Sequence, residues 1–557
     1  MKMNRRKLLI FMSLSLVTTG HLFAGSNEKG IDYYRAELYD AAKIFFLQQS
    51  NQSVLEQAEN YYYLGLTYYQ LNQGDSASYY YRKAIETAPE YPFGYIGEGK
   101  MQLKSKNVKV AEELFKKANN FAKKDPSIQT TIAEVYVDVG DYNNAKIALD
   151  KARKINNKYS GIYMVEGDIL MKQEKIGDAS SRYENAIHFN KSDKLAYLRI
   201  AQVYKDINSD LALQYLDKLL GIDPNYIPAY ALIGDINRDK GMYNKALDAY
   251  EKFIAIQGVP MLQHERYAQL LFFTGQYEAA SDYFKYVLSR DPDNLVIKRL
   301  EAWNSFRLED YALGLEQMNR FLEIMPEERH IYQDYTTLGQ LALKEKQPEL
   351  AMKSFQKAIE IDPVRAASEK LYKEMAAAAF NLGLYPDAVK YYEKYFAEDS
   401  TPDAFDFFSF GDAAYASASY YVTSNNMTTE DETIFKNYVQ KSDKAYAEVI
   451  TRRPNVYYGY MGRANIHSLL DKYDNDKTGK LPGHAKPFFE QALPVLLETN
   501  GDGSKNSLII SAYNYLANYY VSVGDNTSVG EYMLKIIAID PNNEQARKTL
   551  DILKIKY

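Results

Sequence analysis

Residues 58–91 read AENYYYLGLTYYQLNQGDSASYYYRKAIETAPEY. Large side chains recur in this stretch every three or four positions, as they do along one face of an α-helix. Gly65 and Ala77 are small enough to let two helices approach closely. Residues 73–75 are typical of a turn, and Pro89 is typical of a helix end. The stretch therefore predicts two antiparallel helices that pack against each other.

The same spacing recurs almost to the C-terminus, about thirteen times in all. In the middle of the chain Pro292 and Pro326 are 34 residues apart. The pattern is similar to the tetratricopeptide repeat, which has this period, with Tyr61 in place of the usual first Trp. The signature residues in the first full repeat are Tyr61, Leu64, Gly65, Tyr68, Ala77, Tyr81, Ala84 and Pro89.

The resemblance implies an all-α fold, a right-handed superhelical solenoid of antiparallel helix pairs. One pair cannot bury its apolar faces alone, so stability comes from stacking on neighbours. We expect five segments: a signal peptide over 1–24, an N-terminal capping half-repeat over 25–56, a regular repeat array over 57–400, an array with loop insertions over 401–541, and a C-terminal capping helix over 542–557.

Composition agrees with a repeat array. The chain has 557 residues, of which 46% are hydrophobic, and this length is too great for one compact core. It has 52 Tyr and 1 Trp. We expect most tyrosines to pack between helices, where a large flat ring can bury its face and leave its hydroxyl in solvent.

The first residues are typical of a secretory signal. Lys2 and three further basic residues precede the apolar run 8–17, and Ala24 offers a cleavage site. The run is about half of the roughly 20 residues that a membrane-spanning helix needs. An uncleaved anchor is the alternative, because Leu22 stands two residues before the proposed cut. We expect an exported, periplasmic protein without a membrane span after cleavage, associated with the outer membrane, if at all, through a partner.

Charge and cysteine content exclude several classes of protein. The chain contains no cysteine, which excludes disulfides, thiol catalysis, Cys-zinc sites and a lipid anchor on an N-terminal Cys. Removal of residues 1–24 would leave 63 basic residues against 73 acidic ones, a balance of −10. An acidic chain without basic blocks is not expected to bind nucleic acid.

Two motifs imitate ligand-binding loops. Residues 94–100 fit the first seven positions of a phosphate-binding P-loop, but Met101 replaces the required Ser or Thr. Asp474, Asp476 and Gly479 imitate the first half of a calcium loop, yet Ala485 stands where the bidentate Glu belongs. We expect a loop over 471–483, in which residues 474–479 form an exposed polar turn, with weak calcium binding as the alternative.

No catalytic constellation is visible in the sequence. The six histidines are scattered, and no carboxylate pair accompanies a recognisable nucleophile or oxyanion loop. We therefore expect no catalytic residue, no cofactor, no metal site and no enzymatic activity.

The first helix of each pair lines the groove in tetratricopeptide proteins, which directs attention to its residues outside the packing signature. From Glu134 to Asp239 these residues are largely acidic. From Phe272 onward they become aromatic and basic. The members of this second stretch are Phe272, Phe273, Arg299, Trp303, Phe306, Arg307, Phe380, Phe405 and Phe408.

A partner-binding site is predicted within this stretch. Arg299, Trp303, Phe306 and Arg307 are spaced i, i+4, i+7 and i+8, so they share one face of a helix. Aromatic and Arg side chains favour binding hot spots. The predicted site comprises Phe272, Phe273, Arg299, Trp303, Phe306 and Arg307. The alternative is that these side chains pack on the neighbouring helix pair or on the opposite wall of the array.

These observations predict a non-catalytic scaffold of the cell envelope that binds other proteins or peptides in its groove. A periplasmic accessory chaperone for exported proteins is the alternative; it would bind many peptides weakly rather than one partner stably.

Overall fold

The computed structural model describes residues 27–50, 52–368, 370–398, 401–422 and 427–557. Within these ranges the regular secondary structure is helical and contains no β-strand, which confirms the all-α class. None of the helices in these ranges is both long enough and apolar enough to span a bilayer. The expected signal peptide, residues 1–24, lies outside the described residues.

The chain divides into two units between Ile297 and Lys298. The helices of the first unit are α1 (Glu28–Arg35), α2 (Tyr39–Leu47), α3 (Val54–Gln70), α4 (Gly74–Thr87), α5 (Pro92–Lys104), α6 (Val108–Phe121), α7 (Pro126–Asp138), α8 (Tyr142–Ile155), α9 (Ser160–Lys172), α10 (Ile176–Phe189), α11 (Lys194–Tyr204), α12 (Ser209–Ile222), α13 (Ile227–Asp239), α14 (Tyr243–Ile254), α15 (Met261–Phe273) and α16 (Tyr277–Leu288).

The boundary between the units falls within α17 (Leu295–Arg307). The second unit continues with α18 (Tyr311–Ile324), α19 (Tyr332–Lys344), α20 (Pro348–Ile361), the short α21 (Pro363–Ser368), α22 (Leu371–Asn381), α23 (Tyr385–Glu398), α24 (Ala404–Val422), α25 (Thr429–Arg452), α26 (Tyr457–Thr478), α27 (Lys486–Glu498), α28 (Asn506–Val523), α29 (Asn526–Ile539) and α30 (Glu544–Leu553).

Within each unit the helices pack as consecutive pairs. In the first unit α3 packs on α4, α5 on α6, and so on to α15 and α16. In the second unit the pairs run from α19 and α20 to α28 and α29. With α17 and α18, where Ser305 donates to Gln317 (2.6 Å), this makes thirteen pairs after α2 in the described ranges, as the sequence predicted.

In several pairs, close approach depends on a glycine in the first helix and an aromatic ring in the second. Beside Tyr81, a Cβ added at Gly65 would lie 2.4 Å from the ring, and one added at Gly97 of the next pair would lie 2.2 Å from it. Only glycine leaves room for a ring held this tightly. Within their pairs the same arrangement joins Gly99 to Phe115, Gly167 to Tyr183, Gly234 to Tyr250, Gly339 to Phe355 and Gly411 to Tyr446, and Tyr446 also meets Gly462 of the next pair.

The turn in the first full repeat lies earlier than the sequence predicted. Gly74 is the first residue of α4, and the turn residue with left-handed backbone is Asn72, at a φ of 59°. Asn tolerates this conformation because its short polar side chain bonds locally. Other repeats use glycine there, for example Gly275 at a φ of 78°.

The expected loop over 471–483 is helical as far as Thr478, so this prediction is wrong for residues 471–478. These residues form the end of α26, which has 22 residues, and α25 has 24. The start of α25 packs on the end of α26, because Phe435 and Tyr473 are buried side by side there, with ring centroids 5.0 Å apart. Both residues stand among polar residues in the sequence, so their burial was not predicted.

The segments that resemble a calcium-binding loop and a P-loop in sequence are both helical, so neither forms a ligand-binding loop. Asp474 and Asp476 lie in α26 and not in a calcium-type loop, because the apolar extension continues the helix as far as Thr478. The P-loop imitation lies in α5. Its Lys100 is buried, forms an ion pair with Asp138, and lies 4.0 Å from the ring centre of Tyr69.

Candidate functional site

The first helices of the pairs form a shared surface within each unit. In the first unit α3 contacts α5, α5 contacts α7, and α7 contacts α9. In the second unit α24 contacts α26. We call the exposed surface of these first helices the groove face. The predicted site residues all lie on first helices, at the end of α15 and along α17.

Phe272 and Phe273 end α15 in the first unit. Phe273 is 47% exposed and stacks on Tyr243 of α14 at a centroid distance of 5.3 Å. Phe272 is half-buried, with its ring 5.5 Å from Phe273 and 5.8 Å from Tyr277. Both rings therefore pack partly within their own unit and keep some exposed surface.

Arg299 is engaged inside the second unit. Its Nη2 donates to Oδ2 of Asp334 (3.1 Å) and to the backbone oxygen of Arg329 (2.9 Å), and its Nε lies 3.0 Å from Oδ1 of Asp334. The Asp334 side chain is 0% exposed. Burial raises the pKa of Asp334, and the Ile331 amide and Arg299 only partly offset this shift. Arg299 thus stabilises the contact of α17 with α19, as the packing alternative had allowed.

The other three predicted residues of α17 differ in exposure. Trp303 and Phe306 are half-buried, and Phe306 lies 6.0 Å from the ring of Tyr311. Arg307, at the end of the helix, is exposed. Their role in binding a partner stays a prediction.

An exposed aromatic cluster lies elsewhere in the second unit. Phe405 at the start of α24 is 67% exposed, and its ring lies 6.3 Å from Phe408. Phe408 lies 5.7 Å from Tyr458 of α26, which is 48% exposed. The sequence placed Phe405 and Phe408 in the aromatic stretch but did not show that Tyr458 joins them. These three residues form what we call the α24–α26 cluster.

The acidic residues of the groove face bind their own neighbours. Oδ1 of Asp235 accepts from Arg266 (2.8 Å), and Asp239 lies 3.7 Å from Nζ of Lys205. A second-helix tyrosine also donates to an aspartate that directly follows the small glycine of its pair. This arrangement joins Tyr183 to Asp168 (2.7 Å), Tyr250 to Asp235 (2.6 Å) and Tyr446 to Asp412 (2.6 Å). These tyrosine–aspartate hydrogen bonds were not predicted, although the recurring Gly-Asp dipeptide could have indicated them.

Helices α1 and α2 lie against the groove face of the first unit. Tyr34 of α1 contacts the ring of Tyr63 on α3 at 5.9 Å. Lys194 and Arg199 of α11 donate to the acidic residues Asp32 (2.6 Å) and Glu37 (3.1 Å). The sequence predicted a cap at the end of the array, and it gave no sign that this cap would reach α11.

Glu134 of α7 lies close to Arg35 of the hairpin helix α1 and to Asp168 of α9, and its carboxyl has a raised pKa. Desolvation by the surrounding helices and the nearby Asp168 raise its pKa from 4.5 to about 7, and Arg35 partly opposes the shift. The side chain keeps contact with solvent. The folded protein therefore binds this proton more tightly than the unfolded chain does.

Replacement of Glu134 by Gln should remove a pH dependence of stability in the first unit. The contribution of Glu134 is complete below pH 4.5 and is lost as the pH rises through 7. Solvent contact limits this loss to less than about 1 kcal/mol. Hydrogen exchange in α7, measured between pH 4.5 and 8, should show a smaller decline in Glu134→Gln than in wild type. Glu112→Gln on α6 is the control, and equal declines in all three proteins would contradict the assignment.

The described ranges contain no group of three His, Cys, Asp or Glu side chains placed to hold a metal ion. The nearest arrangements are pairs. His467 Nε2 lies 3.0 Å from Oδ1 of Asp443, and His484 Nε2 lies 2.9 Å from Oδ2 of Asp474. Arg463 also donates to Asp443 (2.7 Å), and the bonds from His467 and Arg463 outweigh desolvation and lower the pKa of Asp443 to about 2. Asp443, Arg463 and His467 thus form a salt-bridged contact between α25 and α26.

Comparison with known proteins identifies the repeat. The family model described as "Tetratricopeptide repeat" matches residues 58–91, 126–159, 227–258, 264–294 and 335–365. No curated protein matches the sequence.

Several solved structures are similar to parts of the chain. The C-terminal part of a TPR repeat-containing protein from Cytophaga hutchinsonii is 24% identical, with 51% of this chain and 99% of that chain covered and a TM-score of 0.38. A tetratricopeptide repeat protein from Parabacteroides merdae is 19% identical, with coverages of 45% and 98% and a TM-score of 0.29. PilF of Pseudomonas aeruginosa is 18% identical, with coverages of 38% and 98% and a TM-score of 0.32. At these values the similarities support no statement about function.

Proposed function

We propose that this chain, a multi-repeat protein of the tetratricopeptide repeat family, is a non-catalytic scaffold that binds segments of other proteins on its groove face. Stacked repeats offer extended surfaces for such binding. A helical or extended segment can place several side chains against successive first helices. The cell envelope is the proposed location, supported by the basic and apolar pattern of residues 2–17.

The observation that carries this proposal is the α24–α26 cluster. Phe405 is 67% exposed although it begins a helix whose other face is packed in the core. Its ring lies 6.3 Å from the half-buried Phe408, which in turn lies 5.7 Å from the exposed Tyr458. Large rigid rings give much contact area for little loss of side-chain entropy, which is why hot spots favour them. Trp303, Phe306 and Arg307 supply a second candidate surface in the same unit.

The test is quantitative capture of partners from gentle envelope extracts with wild type, Trp303→Ala and Phe405→Ala. Truncation of a hot-spot side chain costs about 2 kcal/mol, so the Kd of a captured partner should rise roughly thirtyfold. Ile361→Ala is the control because Ile361 is an exposed apolar residue on the second helix α20. Arg299 is unsuitable as a test residue because its loss would leave the buried Asp334 without its ion-pair partner and destabilise the fold.

One or a few proteins in constant ratio, lost from both variants but retained by Ile361→Ala, would support the scaffold and both surfaces. Loss with one variant alone would assign binding to that surface. A diffuse set of clients captured equally by all four proteins would overturn the scaffold proposal and favour the chaperone.

A further inference from the structure

The α1–α2 hairpin of the first unit is bound by residues far along the chain. Three of its hydrogen bonds join residues separated by 162 or 209 positions. A cap that only covered the end of a solenoid would contact its nearest pair, since each repeat touches its neighbours. This hairpin contacts α3 and also α11, α13 and the connection between α14 and α15. It therefore lies along the groove face as well as at its end.

Apolar contacts fix one side of the hairpin. Tyr33 and Phe46 are buried with Leu64 of α3, and Ile227 and Ile256 pack against the same cluster. At the far end, a Cβ added to Gly258 would lie 2.8 Å from the backbone nitrogen of Ala41. Gly258 has a φ of 86° and lies between α14 and α15. The connection after α14 is thus shaped to receive the start of α2.

Charge complementarity fixes the other side. Lys194 at the start of α11 donates to Glu28 (2.9 Å) and Asp32 (2.6 Å), and Arg199 one turn later donates to Glu37 (3.1 Å). Gln48 of the hairpin donates to Gln257 (3.4 Å). At these contacts the hairpin presents acidic residues and the groove face presents cations. The charges are reversed at Arg35 of α1, which lies close enough to the acidic Glu134 of α7 to oppose the rise of its pKa. Charge-assisted bonds of this kind contribute specificity as well as affinity.

We infer that the groove face of the first unit is a binding site for short amphipathic helices with aromatic residues on one face and acidic residues along its edge, and that the α1–α2 hairpin occupies this site in cis. A partner segment of the same chemistry binds when the hairpin leaves. The hairpin itself shows which side chains the site accepts. The inference goes beyond the scaffold proposal, because it names a second site and the chemistry of its ligand.

The two helices of the hairpin are short enough to be displaced. They have 8 and 9 residues, and isolated helices of this length are marginal in water. Their stability therefore depends on the groove face. A ligand that competes with an occupant in cis has an apparent affinity reduced by the fraction of open molecules. Weakening the hairpin without altering the groove face should strengthen binding in trans.

The experiment titrates a fluorescein-labelled synthetic peptide of residues 27–50 into full-length variants and follows its anisotropy. Asp32→Lys repels Lys194 and leaves the groove face intact. Asp40→Lys makes the same charge change on the same hairpin, where Asp40 bonds only its neighbour Lys43 among the ion pairs described (2.7 Å). We expect the Asp32→Lys chain to bind the peptide at least tenfold more tightly than wild type or Asp40→Lys. A peptide carrying Asp32→Lys should not bind.

A second variant tests the site with the native hairpin sequence. The chain has no cysteine, so a short bismaleimide can join Gln48→Cys to Gln257→Cys without side reactions at other thiols. The joined protein should bind no peptide, whereas the same variant capped with N-ethylmaleimide should bind as wild type does. Equal binding by joined and capped proteins would overturn the inference.

Two further results would also overturn it. One is the absence of saturable binding to a folded Asp32→Lys chain up to 1 mM peptide. The other is loss of helicity in Asp32→Lys, which would make the hairpin a structural cap. Neither result depends on Trp303 or Phe405, so failure here is distinct from failure of the scaffold proposal.

Discussion

Replacement of Arg299 by alanine is expected to lower the free energy of unfolding of the second unit by about 3–5 kcal/mol, because it leaves a buried charge without its partner. The Asp334 side chain is 0% exposed, and its two carboxylate oxygens lie within 3.1 Å of Nε and Nη2 of Arg299. The single Trp of the chain, Trp303, lies one turn away and reports unfolding of this unit by fluorescence. Urea titration of wild type and variant measures the difference.

The pH dependence of this loss follows from the carboxylate. Burial already raises the pKa of Asp334, and removal of Arg299 raises it further. As the pH falls, Asp334 becomes protonated in the variant before it does in wild type. The difference in stability should therefore shrink at acid pH.

Two controls separate the ion pair from other effects of the substitution. Arg307→Ala removes an exposed Arg from the same helix and should change stability by less than about 0.5 kcal/mol. The double variant Arg299→Ala/Asp334→Ala removes both charges and should recover part of the loss. If Arg299→Ala proved as stable as Arg307→Ala, the ion pair would not be the reason for the position of Arg299.

Replacement of Tyr81 by alanine is expected to cost about 3–5 kcal/mol locally in the first unit. The Tyr81 side chain is 0% exposed and fills the space left by Gly65 and Gly97. Its loss leaves a cavity between two successive pairs, because Gly65 and Gly97 have no side chains that could fill the space. Hydrogen exchange of the backbone amides of α3 to α6 measures the local change, because opening in a repeat array is local.

Tyr79 gives a matched control two residues away. It is 50% exposed on the same helix, and Tyr79→Ala should change exchange by less than about 0.5 kcal/mol. Similar effects of both substitutions would mean that the glycine and aromatic pairing does not determine stability in this unit.

The two units differ in how their groove faces are used. In the first unit, helices α1 and α2 cover part of the groove face through Lys194, Arg199 and the apolar cluster around Leu64. In the second unit, Phe405 and Tyr458 remain exposed. The proposed scaffold therefore combines one surface that is open in this structure with one that already holds a segment of its own chain.

Local spacing determined the repeat. Gly65, Tyr81 and their equivalents recur at fixed intervals, and each contact between them joins residues of one pair or of adjacent pairs. Such contacts are encoded within about 34 residues, so the sequence shows them directly. The helix class, the thirteen pairs and the position of the aromatic stretch on first helices followed from this spacing.

Which partners the remaining side chains meet was decided only by the tertiary structure. Arg299 had the spacing of a groove residue, but Asp334, in the next pair, engages it. Asp474 had the spacing of a calcium ligand, but the buried pair of Phe435 and Tyr473 continues the helix through it. Helix α1 meets α11 across 162 residues. Local periodicity fixes which face of a helix a side chain occupies, whereas the stacking of many repeats fixes what that face meets.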